Sequence, residues 1–145
     1  MLSGTSGDDV MSGLGGDDIL QGLGGNDTLD GGSGRDRLEG GSRNDTFVFA
    51  ATGDTTLPNW DFIADWNAGD RIDLSAIDAN TASAGDQAFH IGATSGHTGD
   101  VVITYDPAAQ ATRVDLYVDA DATPDARFYV NGDHSSDLTS AYFVL

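Results

Sequence analysis

The chain has 145 residues and sets 24 acidic side chains against 6 basic ones, a formal net charge of −18, with no cysteine. All the acids but Glu39 are aspartates and every base is an arginine. That balance disfavours nucleic acid, anionic membranes and polyanions and favours cations; disulfides and thiolate metal sites are excluded, and no apolar run approaches the roughly 18–20 residues of a membrane span.

The opening "MLSGTSGDDV" lacks a basic stretch followed by an apolar one, so no Sec-type signal is expected in it. Met1 stands directly before a repeat, as in a segment cut from a longer chain. From Gly4 the sequence then falls into five unbroken nonapeptides: "GTSGDDVMS", "GLGGDDILQ", "GLGGNDTLD", "GGSGRDRLE" and "GGSRNDTFV". Position 1 is always glycine (Gly4, Gly13, Gly22, Gly31, Gly40). Position 6 is always aspartate (Asp9, Asp18, Asp27, Asp36, Asp45), and position 8 is always apolar (Met11, Leu20, Leu29, Leu38, Phe47).

Glycines at positions 1 and 4 permit the positive φ of a tight turn, and positions 7–9 alternate like a very short strand. Burying one leucine returns only about 1.5–3 kcal/mol, whereas ordering nine residues costs about 1–2 kcal/mol each, so single copies are unstable and must stack. If two copies make one coil, the position-6 carboxylates form two files: Asp9, Asp27 and Asp45 on one edge, Asp18 and Asp36 on the other. Strands lie about 4.8 Å apart, so bare carboxylates at that spacing repel unless a cation sits between them. Oxygen donors alone, from carboxylates and from carbonyls freed by glycine, suit Ca²⁺ better than Mg²⁺ with its strict octahedron or Zn²⁺ with its His and Cys preference. The expected sites are the pairs Asp9/Asp27, Asp27/Asp45 and Asp18/Asp36, about three ions.

These nonapeptides resemble the RTX repeat G-G-x-G-x-D-x-U-x. The resemblance implies a parallel β-roll with calcium held between turns n and n+2. Two residues depart from it: Arg43 replaces the position-4 glycine, and Arg35 occupies position 5, where the other copies have Asp or Asn. A flexible Gly/Ser/Asp linker would not keep an aliphatic or aromatic residue at every ninth place.

After Val48 the beat gives way to strand-like segments at 46–50, 71–75, 100–105, 112–118, 126–130 and 141–145, with turns at "DPAAQ", "DADATPD" and "NGD". One helical turn is expected within 75–87. The chain thus divides into a roll, 1–48, and an all-β cap, 49–145, that closes the open end of the stack. The stretch "DFIADWNAGDRIDLSAIDA" resembles the segment after the repeats in serralysin-type proteases and in the R-modules of mannuronan C5-epimerases, and later pieces extend that resemblance over essentially the whole chain.

Other candidates are weaker. His90, His97 and His134 belong to no H-E-x-x-H or H-x-x-E-H, and no G-x-S-x-G appears, so catalysis is not expected. Asp119, Asp121 and Asp125 fail as an EF-hand loop because Pro124 stands where its invariant glycine is required. Asp61, Asp65, Asp70 and Asp73 have two readings, a further calcium where roll meets cap (Asp61 and Asp70 foremost) or plain strand-edge solubility. Trp60 and Trp66 offer a sugar platform or core packing, and Arg35, Arg37 and Arg43 a basic spot or charge relief.

The resemblance implies a noncatalytic calcium-binding module at the C-terminal end of a larger extracellular bacterial enzyme. It implies type I export from a Gram-negative cell, guided by an uncleaved C-terminal signal, and folding on external calcium. The acid-then-apolar ending of such signals is matched only in part by Asp137 and "AYFVL". The rival is a module binding an alginate-like polysaccharide.

Overall fold

The computed structural model describes residues 1–56, 58–80, 82, 88–93 and 97–145. Each nonapeptide ends in a three-residue strand. They are β2 (Val10–Ser12), β3 (Ile19–Gln21), β4 (Thr28–Asp30), β5 (Arg37–Glu39) and β6 (Thr46–Val48), preceded by a two-residue β1 (Leu2–Ser3). In each of the five the middle residue is buried and its neighbours are more exposed, the pattern that position 8 dictates.

Successive strands alternate between two parallel sheets. Sheet one pairs β1 with β3 and β3 with β5; sheet two pairs β2 with β4 and β4 with β6. The register sets Leu20 beside Leu38, and Met11 beside Leu29 beside Phe47. Leu20, Leu29, Leu38 and Phe47 are fully buried between the sheets. The chain is therefore an all-β, parallel β-roll capped by further strands, as its repeats imply.

Parallel stacking continues past Val48. β7 (Asp61–Asp65) adds to β5 and β8 (Arg71–Asp73) to β6, placing Ile63 against Leu38 and Ile72 against Phe47. A detour holding one 3-10 turn, Thr52–Thr55, precedes this last coil. Asp54 Oδ2 pins that turn by accepting the Ala50 and Ala51 amides at 3.1 and 2.8 Å.

The cap then grows from both sheets. β12 (Ala126–Asn131) pairs parallel with β7, and β11 (Ala111–Leu116), β10 (Asp100–Asp106) and β9 (His90–Ala93) extend the same eight-stranded sheet. β13 (Phe143–Val144) covers β8 at the far edge of the other sheet. Phe49 stacks on Phe128 with centroids 4.2 Å apart, joining the end of the roll to the cap. Trp66 packs against Phe47 and Tyr142, while Trp60 lies against Tyr129, with centroids 5.6 Å apart.

Of the segment 75–87 expected to hold one helical turn, residues 81 and 83–87 lie outside the described residues. In the described part, Ile77 N–H donates to Leu74 O at 2.9 Å, a single turn.

Candidate metal centre

The five position-6 aspartates form two ladders along opposite edges of the roll. Asp9 N–H donates to Asp27 Oδ1 at 2.8 Å, and Asp27 N–H to Asp45 Oδ1 at 2.9 Å. On the other edge Asp18 N–H donates to Asp36 Oδ1 at 2.8 Å. All three pairs expected from the repeat are thus brought together, each carboxylate reaching the amide of the aspartate one coil earlier.

Both ladders run on into the segment after the repeats. Asp36 N–H donates to Asp61 Oδ1 at 2.8 Å and Asp45 N–H to Asp70 Oδ1 at 3.0 Å, with 25 residues between partners instead of 18. The sequence carried a signal for this. Asp61 and Asp70 stand nine residues apart, as do Ile63 and Ile72, so the beat resumes once the detour is passed. Asp65 takes another part: its two oxygens accept the amides of Gly40 and Gly41 at 2.9 and 2.8 Å. Asp73 accepts from Ser75 and stands outside both ladders.

Glycine at position 1 makes room for these carboxylates. A Cβ on Gly22 would sit 2.3 Å from Asp27 Oδ2 and 2.5 Å from Gly40 O, and one on Gly40 would sit 2.3 Å from Asp45 Oδ2. Gly4 and Gly31 are also crowded, by Asp9 Oδ2 at 2.7 Å and Asp36 Oδ2 at 2.5 Å, and Gly13 by Gly31 O at 2.5 Å. In the second to fourth copies position 4 takes a left-handed backbone, with φ of 101°, 123° and 142° at Gly16, Gly25 and Gly34, and Arg43 of the fifth copy is held at 92° in the same place.

Only half of each inner carboxylate is satisfied. Asp27, Asp36 and Asp45 are each 1% exposed, and their Oδ2 atoms have no hydrogen-bond partner. A buried, unpaired anionic oxygen is costly unless a cation meets it or a proton neutralises it. Burial, reinforced by neighbouring carboxylates, pushes Asp45 up to about 6 and Asp61 to about 8, and raises Asp36 and Asp70 as well.

Among the described residues, no three His, Cys, Asp or Glu side chains converge as a ready-made ligand set. The carboxylates come in stacked pairs, so any further donors must be turn carbonyls, an all-oxygen environment that suits a hard divalent cation. The orphaned Oδ2 atoms fit that role; the histidines do not share it. His134 Nδ1 lies 3.2 Å from Asp137, and His90 and His97 flank Asp100. Asp121 and Asp119 close local turns on Thr123 and Asp121 amides, and Asp125 accepts from Val118.

Position 5 supplies a second ladder that sequence reasoning overlooked. Asp8 Oδ1 accepts the Asn26 amide at 2.7 Å, Asn26 Oδ1 the Asn44 amide at 3.4 Å, and Asp17 Oδ1 the Arg35 amide at 3.0 Å. Its trace in the sequence is the run Asp, Asp, Asn, Arg, Asn at that position, short acceptors in all but one copy.

The stacked carboxylate turns and the continuous roll-to-cap sheet agree with a family comparison in which Peptidase M10 serralysin C terminal matches residues 3–140. The chain belongs to that serralysin C-terminal family. Serralysin A of Dickeya chrysanthemi is 36% identical over 88 residues, covering 60% of this chain and 18% of the protease. Metalloprotease AprA of Pseudomonas entomophila (strain L48) is 44% identical over 62 residues, 42% of this chain and 13% of that protein. The chain therefore spans less than a fifth of the length of these relatives. Two solved structures share the fold of this serralysin C-terminal chain. They are the AlgE6R3 and AlgE6R2 subunits of an Azotobacter vinelandii mannuronan C5-epimerase, solution structures with TM-scores of 0.62 and 0.64. They are 30% and 26% identical to this chain, and the matches cover 97% and 99% of it and 80% and 91% of the respective subunits.

Proposed function

We propose that this chain is a noncatalytic calcium-binding module whose roll is held together by Ca²⁺ between stacked turns. The observation that carries the reading is the row of orphaned Oδ2 atoms on Asp27, Asp36 and Asp45, buried anionic oxygens with no protein partner. Asp9, Asp18, Asp27, Asp36 and Asp45 would hold the ions, with Asp61 and Asp70 extending the two rows, and the crowded glycines Gly4, Gly13, Gly22, Gly31 and Gly40 keep the space open. Residues 1–48 supply the repeat coils; residues 49–145 supply the last coil, the cap and any export address.

At millimolar calcium and a Kd of about 10⁻⁴–10⁻³ M, each site adds about 0.4–1.4 kcal/mol to folding. Three or more sites acting together are enough to switch a marginal fold. The module would then stay open in calcium-poor cytoplasm and close outside the cell, serving an attached extracellular enzyme exported by a type I system. Circular dichroism in EDTA and in excess Ca²⁺ tests this directly. A coil-to-β change on adding calcium is expected; identical spectra and melting in both would refute it.

A groove of about 470 Å³ beside Arg35, Arg37, Trp60 and Phe62 favours a second reading, a saccharide-binding accessory module. Aromatic faces stack on pyranose rings, and arginines pair with uronate carboxylates. The net charge of −18 opposes a polyanion such as alginate unless calcium bridges it. Retention of neutral and acidic polysaccharides across a calcium and salt titration decides it, and no retention at any calcium level removes this reading.

A further inference from the structure

The two edges of the roll carry the same carboxylate ladder but differ in what stands beside it. Along the Asp9–Asp27–Asp45 edge, position 5 is Asp8, Asn26 and Asn44, none of them cationic. Along the Asp18–Asp36 edge it is Asp17 and then Arg35. The Arg35 amide keeps the ladder intact by donating to Asp17 Oδ1. Arg35 lines the groove that also holds Asp17, Asp18 and Asp36.

Arg37 lines the same groove but is already engaged, 2.6 Å from Glu39 and over the ring of Phe62 at 5.8 Å. Among the described residues, Arg35 makes no ion pair. Arg43, on the opposite edge, is exposed and lines no part of this groove. Arg35 thus places an uncommitted positive charge beside a carboxylate ladder whose buried Asp36 Oδ2 has no partner.

We infer that Arg35 sets the calcium affinity of the Asp18–Asp36 edge, acting as a resident counter-charge that weakens Ca²⁺ binding there and leaves the other edge untouched. The inference rests on the calcium reading above. A unit charge within about one Debye length of a divalent ion, roughly 8 Å at physiological salt, changes its binding about two- to five-fold in water-like dielectric. The edge therefore fills at a higher calcium concentration than its own carboxylates dictate, which places the response of the module under the control of one side chain.

Trp60 lines the groove, so Tb³⁺ bound on this edge should luminesce on tryptophan excitation, and Trp60→Phe should remove that signal. Calcium competition against Tb³⁺ then reads this edge, and amide NMR shifts of Asp18 and Asp36 against Asp27 and Asp45 read both edges. Arg35→Asn, the residue position 5 carries in two other copies, should tighten Ca²⁺ binding at the Asp18–Asp36 edge two- to five-fold at 0.15 M salt. The gain should vanish in 1 M salt, and Arg35→Lys should behave as wild type. An unchanged affinity in Arg35→Asn, a shift that persists in 1 M salt, or an equal shift at the Asp27–Asp45 edge would overturn the inference. Absence of calcium uptake at either edge of wild type and variant alike would instead bring down the calcium reading itself.

Discussion

Arg43 shows how closely backbone conformation and residue type are coupled here. Its φ of 92° is the left-handed value that Gly16, Gly25 and Gly34 adopt at the same position. A side chain there costs roughly 1–2 kcal/mol, partly offset by the greater chain entropy that glycine loses on folding. Arg43→Gly should therefore stabilise the fold by about 0.5–1 kcal/mol, visible as a higher melting temperature in EDTA and in calcium alike. The repeat made this position conspicuous because every other copy has glycine.

Protonation acts at the same scale. In the calcium-free protein Asp61 is raised to about 8 and Asp45 to about 6, so both bind protons more tightly folded than unfolded. The stability they contribute is complete below the ordinary carboxylate range and is lost as pH rises through about 6 for Asp45 and about 8 for Asp61. The EDTA-treated protein should accordingly melt at a higher temperature at pH 5 than at pH 8. Calcium must displace those protons, so its half-saturating concentration should rise as pH falls over the same window. A calcium-free melting temperature that increases with pH would contradict this assignment.

Among the elements, the coil is the unit that a substitution breaks. Asp27 belongs to two stacked pairs and Asp18 to one of the three expected pairs. At millimolar calcium Asp27→Ala should forfeit about 1–3 kcal/mol of calcium-dependent stability against about 0.4–1.4 kcal/mol for Asp18→Ala. Calcium-titrated denaturant melts measure the difference. Gly22→Ala should prevent its coil from closing, because the new Cβ would press on Asp27 Oδ2 and Gly40 O, whereas Gly53 has open space around it and Gly53→Ala should leave melting unchanged. Deuterium uptake of Thr28 and Thr46 amides, which donate to Asp9 and Asp27 carbonyls, would localise the damage.

The coils of residues 1–48 were legible because each rule is local: a turn needs glycine, an edge needs aspartate, a core needs one apolar residue, and all repeat every nine. The last coil was harder. Its strand β7 reads "DFIAD", and the residues between Val48 and Asp61 put it out of phase with the preceding copies, so the nine-residue spacing of Asp61 and Asp70 was masked and the two stood out as part of a dense acidic segment. Strand β9 is four residues long and includes Gly92, too short and too permissive to announce itself. The pairing of β12 with β7 depends on contacts between residues more than sixty positions apart, which no local pattern encodes.

For the whole molecule, the two ends of the roll are unlike. At one end β12 and β13 complete the sheets and Phe49 stacks on Phe128. At the other, β1 and β2 are edge strands, with Val10 88% and Leu14 78% exposed. In both position-6 ladders the carboxylate receives the amide of the preceding coil, so each of those buried rungs is anchored from its C-terminal side, while the exposed position-5 ladder runs the other way. Fraying should begin at Met1 and travel toward the cap. Native-state hydrogen exchange should accordingly show opening free energies that climb coil by coil from Asp9 through Asp27 to Asp45, so that the tail of the chain serves as the foundation on which its head is laid.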